Sequence, residues 1–398
     1  MKPIYLDNNA TTQVAPEVLE EMIPYFRELY GNPSSMHTFG GQVHKQIEKA
    51  RARVADLINA EPEEIVFTSC GTESDNTAIM SALEANPGRK RLVTTRVEHP
   101  AILNVCNHLV TKGYRASFVP VDSQGRFDMN ALLKALDEHT AIVSVMYANN
   151  ETGVIFPIHE IGQAVKEWDI PFHSDAVQAA GKIHIDVKKL SVDMLSFSGH
   201  KIHAPKGVGA LYVRKGTRFF PYLLGGHQER GRRAGTENVA SIVGFGKACE
   251  IAKADLTAKM DEVAKMRDTL EAALLKSCPD AVVNGDTEHR LPNTASISFE
   301  YVEGEAILLR LNEYGICASS GSACTSGSLQ PSHVLRAMGI PYTAIHGSIR
   351  FSLSAYTTPD EIDLVIEVMP DVIRQLRSLS PFGREKFEQF LCETGRGE

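Results

Sequence analysis

The sequence predicts an α/β fold: a mainly parallel seven-stranded sheet sheathed by helices, followed by a smaller α+β domain. Three observations carry this expectation. Short apolar runs alternate with helical periodicity from residue 40 to about 215. A long amphipathic pattern from Leu256 to Leu274 then separates this region from one with fewer strands. The chain has 398 residues, 43% of them hydrophobic, which is enough for two cores.

Val43, Ile47, Ala50, Val54 and Leu57 recur at helical spacing, and Ile65-Val66-Phe67-Thr68 then reads as a buried strand. Helical patterns at 77–83, 102–110, 130–136 and 158–168 alternate with strand patterns at 91–95, 117–121, 141–146 and 171–174. Two further strands are expected at 194–197 and 208–213. Strands apolar on both faces and joined by helices belong to a parallel sheet. Ligands gather at the carboxyl ends of such strands, which points to the loops after Ser69, Met146, Ser174 and Phe197. Leu256, Met260, Val263, Leu270 and Leu274 mark the helix expected to join a second domain. That domain holds strand patterns at 295–299 and 348–353 and helical patterns at 305–311 and 360–376. Thr358-Pro359-Asp360-Glu361 starts the last helix with an N-cap hydroxyl, a first-turn proline and a capping-box glutamate. The expected division is 13–256 for the large domain, with 1–12 and 257–398 forming the small one. The charged tail after Pro381 is expected to fray.

A net charge of −8 gives no electrostatic reason to expect nucleic acid or an anionic membrane as a partner. Polar residues at Asp7-Asn8-Asn9 come too early for a signal-peptide core, and no apolar run approaches a bilayer span. Seven cysteines with no Cys-x-x-Cys pair argue against a disulfide framework or a zinc site. The expectation is a cytoplasmic protein.

Candidate chemistry sits at the strand ends. In Cys70-Gly71-Thr72-Glu73-Ser74 a strand passes into a helix, either as an ordinary cap or as an N-terminus open to a phosphate. Asp175 ends a buried strand, where it can hold a pyridine nitrogen protonated, cap a helix or ligate a metal. Gln178 stands close enough to donate to a ring oxygen. Ser198-Gly199-His200-Lys201 puts an amine beside an imidazole at the end of an apolar strand, a setting that favours Schiff-base formation over a solvated loop lysine. His99 follows a strand and can move protons near neutral pH, although a lone loop histidine is more often structural. Asn149-Asn150-Glu151-Thr152-Gly153 is a good turn before it is anything else. Residues 225–238 form a loop rich in glycine and arginine that suits docking on a second subunit better than nucleic acid. Arg350, inside an apolar strand, needs an acceptor: a substrate carboxylate or a structural ion pair.

Cys324 lies in Ser320-Gly321-Ser322-Ala323-Cys324-Thr325-Ser326-Gly327, a run of small residues with nothing to bury a thiol. A free cysteine is usually an inert small hydrophobe. Here the glycines free the backbone, and an exposed thiol on such a segment is a liability unless it is used. A Schiff-base amine and a swinging thiol together suggest pyridoxal phosphate chemistry that ends at sulfur.

With these residues assembled, the chain resembles the pyridoxal-phosphate-dependent cysteine desulfurases of the class V aminotransferase family, NifS type. Tyr5–Thr12, Gly31-Asn32-Pro33-Ser34-Ser35, Thr72–Asn76, Ser198–Lys201, Arg233–Asn238 and the run around Cys324 carry the resemblance. It implies the fold type I of pyridoxal phosphate enzymes. It further implies Lys201 as cofactor lysine and Asp175 as pyridinium partner, with Gly71, Thr72, Ser198, Gly199 and His200 at the phosphate. Thr236 would reach that phosphate from the other subunit of a homodimer. Asn150 and Gln178 would contact ring oxygen or substrate, His99 would stack on the ring, and Arg350 would clamp the carboxylate of L-cysteine. Cys324 would carry the sulfur as a persulfide to an iron–sulfur scaffold protein of the NifU kind, for nitrogenase or for general cluster assembly. No resident metal is implied, Cys324 serving at most as a transient iron–sulfur ligand. The rival readings are a selenocysteine lyase, an aminotransferase, or a non-enzymatic interaction module.

Overall fold

The computed structural model describes residues 3–320 and 331–380. Seven strands form one sheet in the order Ile65–Thr68, Gly209–Val213, Met194–Ser198, Phe172–Asp175, Thr140–Ser144, Arg91–Thr95, Arg115–Val119. All neighbours are parallel except at Gly209–Val213, which runs antiparallel to both its partners. Central strands such as Thr140–Ser144 and Met194–Ser198 are buried at every residue, which is why they read as continuous apolar runs.

The sheet separates two cores with the alternation that a pleated strand imposes. Val66, Leu92, Ile142, Met194 and Leu211 face helices Gly71–Ala85 and Pro100–Thr111. Phe67, Val93, Val143, Leu195 and Ala210 face the opposite side, with Ile47, Val54 and Phe245. There helices Thr38–Leu57 and Val239–Lys253 pack closely, since a Cβ at Gly246 would lie 2.6 Å from Ala50 Cα.

The smaller sheet is antiparallel, in the order Ser319–Ser320, Ser348–Ser352, Thr294–Phe299, Ala281–Val283. Helices Leu256–Ser277, Gly304–Glu313 and Pro359–Leu379 surround its core of Leu270, Ile297, Phe351 and Val365. The N-terminal strand Ile4–Tyr5 pairs in parallel with Ile316–Cys317, and Leu6 belongs to the same core. The final helix starts with the reciprocal bonds of a capping box: Thr358 N–H donates to Glu361 Oε2 at 2.9 Å, and Glu361 N–H to Thr358 Oγ1 at 3.4 Å. No helix among the described residues is long and apolar enough to cross a membrane.

Three differences from the sequence expectations have physical causes. Gly71–Ala85 begins six residues before the apolar pattern at 77, because Ser74 and Asp75 are buried polar residues that the periodicity does not register. Arg115–Val119 ends earlier than expected because Pro120 cannot continue the ladder. Helix Val239–Lys253 is buried nearly all round, so it shows no 3.6-residue stripe and escapes a search for one.

Gly246→Ala tests the tight helix pair. Backbone, not a side-chain end, meets the added methyl, so the helices must part, and overpacking of this kind costs about 1–3 kcal/mol. Chemical denaturation should show a lower midpoint with an unchanged slope.

Candidate active site

The carboxyl ends of Ile65–Thr68, Thr140–Ser144, Phe172–Asp175 and Met194–Ser198 open into a cavity of about 420 Å³, lined also by the N-terminal segment and the small sheet. Every site residue proposed from the sequence within the described chain borders it except Gly199 and Thr236. Gly199 lies just beneath, packed so that a Cβ would meet Val208 at 2.9 Å and Ala204 at 3.0 Å. Thr236 is exposed and lines a separate groove with Arg233 and Glu237. Cys324 lies outside the described residues.

One corner suits an anion. Helix Gly71–Ala85 has Cys70 as N-cap, with no side-chain cap bond among the described residues. No side-chain cap therefore occupies the first-turn N–H groups, and Gly71 and Thr72 of that turn line the cavity. Ser198 Oγ is buried there without a hydrogen-bond partner. A Cβ at Gly71 would lie 2.7 Å from Val177 Cγ2, so only glycine keeps this cradle open. Gly209 has a related role, since a Cβ there would strike the Cys70 backbone at 2.9 Å. An unsatisfied buried hydroxyl beside an uncapped helix start is the donor set a phosphate requires. His200 completes the corner, with Nδ1 3.2 Å from Thr11 Oγ1. Burial and the neighbouring Lys201 push its pKa down to about 4, so the ring is neutral.

Asp175 is 6% exposed and its Oδ1 accepts from Val177 N–H at 2.9 Å. Burial pushes its pKa up to about 6, against the opposing pull of that bond and of Lys201. A protonated ring nitrogen is the partner such a carboxylate lacks, so these residues fit a pyridoxal phosphate.

Lys201 Nζ donates to the main-chain oxygens of Asn9 at 2.6 Å and Ala10 at 2.7 Å. Gln178 Nε2 donates to the same Asn9 oxygen at 3.0 Å. His99 caps helix Pro100–Thr111, its Nδ1 accepting from Ala101 N–H at 3.1 Å. Burial, then Lys201, depresses its pKa to about 4. Arg350 forms the ion pair that the sequence left open, Nη2 to Asp7 Oδ1 at 2.8 Å. Nη1 donates to Asn150 O at 2.9 Å, while Nε is buried with no partner, so a donor remains for a second carboxylate. Asn150 lies in the turn expected of its neighbours: Asn149 Oδ1 accepts from the N–H of Glu151 and Thr152.

Sequence reasoning passed over three buried groups. Asn9 links the small sheet, through Ser352 and Thr294, to Asn150 in the turn at the cavity. Asp75 borders the cavity with an unbonded Oδ1, and burial beside Asp175 raises its pKa well above the usual range. Lys182 bonds to Gln178 and Asn9. The one signal for Lys182 was a lysine four residues after Gln178 in an otherwise small, apolar turn.

The comparisons with known proteins agree with this geometry. Residues 4–365 match the family model described as Aminotransferase class-V. A cysteine desulfurase of a Nostoc species is 61% identical over 386 residues, covering 97% of this chain and 96% of that protein. The cysteine desulfurase NifS of Azotobacter vinelandii is 58% identical, covering 96% and 95%. A solved structure of a NifS-like protein superposes with a TM-score of 0.89 at 41% identity, covering 94% of this chain and all of that one.

Glu98, 3 residues after Thr95 and fully buried, offers a pH test of the shell around the cavity. Its Oε1 accepts from Thr95 Oγ1 and Met146 N–H, its Oε2 has no partner, and burial pushes its pKa from 4.5 up to about 8. Between those values the folded chain holds a proton that the unfolded chain releases. Stability therefore falls as pH rises through that window, by up to ~1.4 kcal/mol per unit. Glu98→Gln has no such proton, so its stability curve from denaturant titrations should flatten and cross above the parent at the alkaline end.

Proposed function

The chain belongs to the class-V aminotransferase family, on its cysteine desulfurase branch, and from that premise we propose that it converts L-cysteine to L-alanine. In the proposed reaction Cys324 takes the sulfur as a persulfide and hands it to an iron–sulfur scaffold protein of the NifU kind. The working form is a cytoplasmic homodimer, with exposed Thr236 reaching the phosphate site of the opposite subunit. The observation that carries the reading is one cavity that collects the Lys201 amine, the Asp175 carboxyl, the Ser198 corner and the Arg350 guanidinium.

Pyridoxal phosphate, anchored on Lys201, with Gly71, Thr72, Ser198, Gly199 and His200 at its phosphate, Asp175 at its ring nitrogen and Gln178 at its phenolic oxygen, supplies a sink for the electrons left at the substrate Cα. Arg350 and Asn150 hold the cysteine carboxylate and fix which Cα bond faces Lys201. The Lys201 amine takes the Cα proton. His99, kept neutral, packs on the ring face without adding a competing charge. The Cys324 thiolate attacks the substrate sulfur, forming an S–S bond as the Cβ–S bond breaks. The Cβ keeps that electron pair and gains the proton given up by the substrate thiol, Lys201 returns its proton to Cα, and alanine leaves, so sulfur and hydrogen balance. Ser319 borders the cavity, and Cys324 lies four residues past Ser320, a span of at most roughly 14 Å of extended chain.

Mass spectrometry after addition of L-cysteine should find one extra sulfur atom on Cys324. Cys324→Ala should keep the colour of bound cofactor and lose sulfide release, while Lys201→Ala should lose the covalent attachment. Sulfide release undiminished in Cys324→Ala would remove the persulfide step.

Ser198→Ala tests the phosphate corner. Deleting a buried, unbonded hydroxyl should leave the melting temperature of the cofactor-free protein unchanged or raised. A hydrogen bond to a charged group contributes about 1.5–3 kcal/mol, so the pyridoxal phosphate dissociation constant should rise about 10- to 100-fold.

A further inference from the structure

After Asp175 the chain turns tightly: Ala179 and Ala180 N–H both donate to Ala176 O, and Lys182 N–H donates to Ala179 O. The turn stacks Gln178 and Lys182, four residues apart, on one side. Lys182 is only 7% exposed. Its Nζ donates to Gln178 Oε1 at 2.8 Å and to Asn9 Oδ1 at 3.1 Å. No carboxylate pairs with it among the described residues. Burial, with Lys201 and Arg350 close by, pushes its pKa well below the usual lysine range. Two N–H bonds are available in either charge state, so the contact does not depend on the charge. A lysine buried without a counter-ion is a poor stabilising device, since a methionine would fill the same space without desolvating an amine.

We propose that Lys182 is a positioning residue of the desulfurase reaction, fixing the Gln178 amide with its oxygen turned inward and its NH₂ turned toward the Asn9 carbonyl beside Lys201. The inference rests on the function proposed above. With Oε1 held by Lys182, Gln178 can present only donors to the cavity, and the phenolic oxygen of pyridoxal phosphate is an acceptor. The reversed amide would set oxygen against oxygen. Lys182 also fixes Asn9, whose Oδ1 accepts from it and from Asn293 Nδ2 at 3.0 Å. Lys182 also borders a second cavity of about 230 Å³, which it shares with Lys201.

The test uses Lys182→Met in the cofactor-loaded enzyme, reading the pH midpoint of the bound cofactor's visible absorbance alongside kcat and KM for L-cysteine. A donor to the phenolic oxygen favours the form with one proton fewer, so its loss raises the midpoint, by about half a unit or more. The kcat should fall about 10-fold or more, with KM changed less than about 3-fold. Gln178→Ala should give the same upward shift, and the double variant no larger one, because both changes remove one contact. Lys182→Gln, which keeps one donor, should give a smaller shift, and it replaces the methionine variant if that chain does not fold. A loaded, folded variant with the parental midpoint would overturn the proposal. So would shifts that add in the double variant, or failure of both substitutions to fold, which would make Lys182 structural. A parent enzyme that neither takes up pyridoxal phosphate nor yields alanine would instead defeat the function on which this rests.

Discussion

The site depends on one buried amide. Asn9 is 2% exposed, and its hydrogen bonds join the small sheet to the turn beyond strand Thr140–Ser144. Its N–H donates to Ser352 Oγ and its Nδ2 to Thr294 Oγ1 on the small sheet, while the same Nδ2 reaches Asn150 O in that turn. Its main-chain oxygen receives Lys201 and Gln178. These bonds hold the amine against the Asn9 and Ala10 main chain. A buried network of this kind is stable only when every member is satisfied, so the N-terminal segment, the amine and the small sheet are set together or not at all. Adjacent bonds extend the seam: Asn8 N–H to Ser352 O, Thr12 N–H to His200 O, and Ala15 N–H to His203 O.

Around this knot the electrostatics oppose stability and serve a ligand. Asp75, Glu98, Glu151 and Asp175 are buried acids whose pKa values all rise, and burial is the leading cause for each. Buried Lys182 and half-buried His99 and His200 are bases whose pKa values all fall, again chiefly through desolvation. Each group is therefore pushed toward its neutral form. An incoming ligand with a phosphate and a protonated ring restores partners to several of them at once, and binding energy then appears as stability. The unbonded Ser198 Oγ and Arg350 Nε belong to the same pattern.

The sheet was legible in the sequence because its strands are buried on both faces, which makes them continuous apolar words between helical ones. Gly71, Asp175 and Lys201 were legible for a related reason: each interrupts an apolar strand at its carboxyl end, where a doubly wound sheet must place its ligands. Helix Val239–Lys253 was not, since total burial erases the stripe that identifies a helix. Asn9 and Lys182 were not either, for a different reason. Their importance lies in contacts spanning 141 to 343 residues of chain for Asn9 and 173 for the Asn9–Lys182 bond, and no local pattern encodes such distances. His99 shows the limit from the other side. The structural reading is seen directly, since one ring nitrogen caps a helix, and the same residue borders the cavity.

Arg350 illustrates how a cation can be held in place at the edge of such a cavity with a donor to spare. Its pairing with Asp7 keeps the guanidinium in place before substrate arrives, at the expense of giving that substrate a competitor. Nη1 gives one N–H to the Asn150 carbonyl and Nη2 one to Asp7, so Nε and the second N–H of each Nη are left for a new carboxylate. A bound α-carboxylate that uses Nη2 shares it with Asp7 or displaces Asp7. Sharing sets two carboxylates side by side, which is unfavourable without a proton or a second cation. Lys201 borders the same cavity, and its charge already helps to lower the His99 pKa, so a second cation stands nearby. That amine rests on the Asn9 and Ala10 carbonyls, so the balance at Arg350 meets the rest of the site again at Asn9.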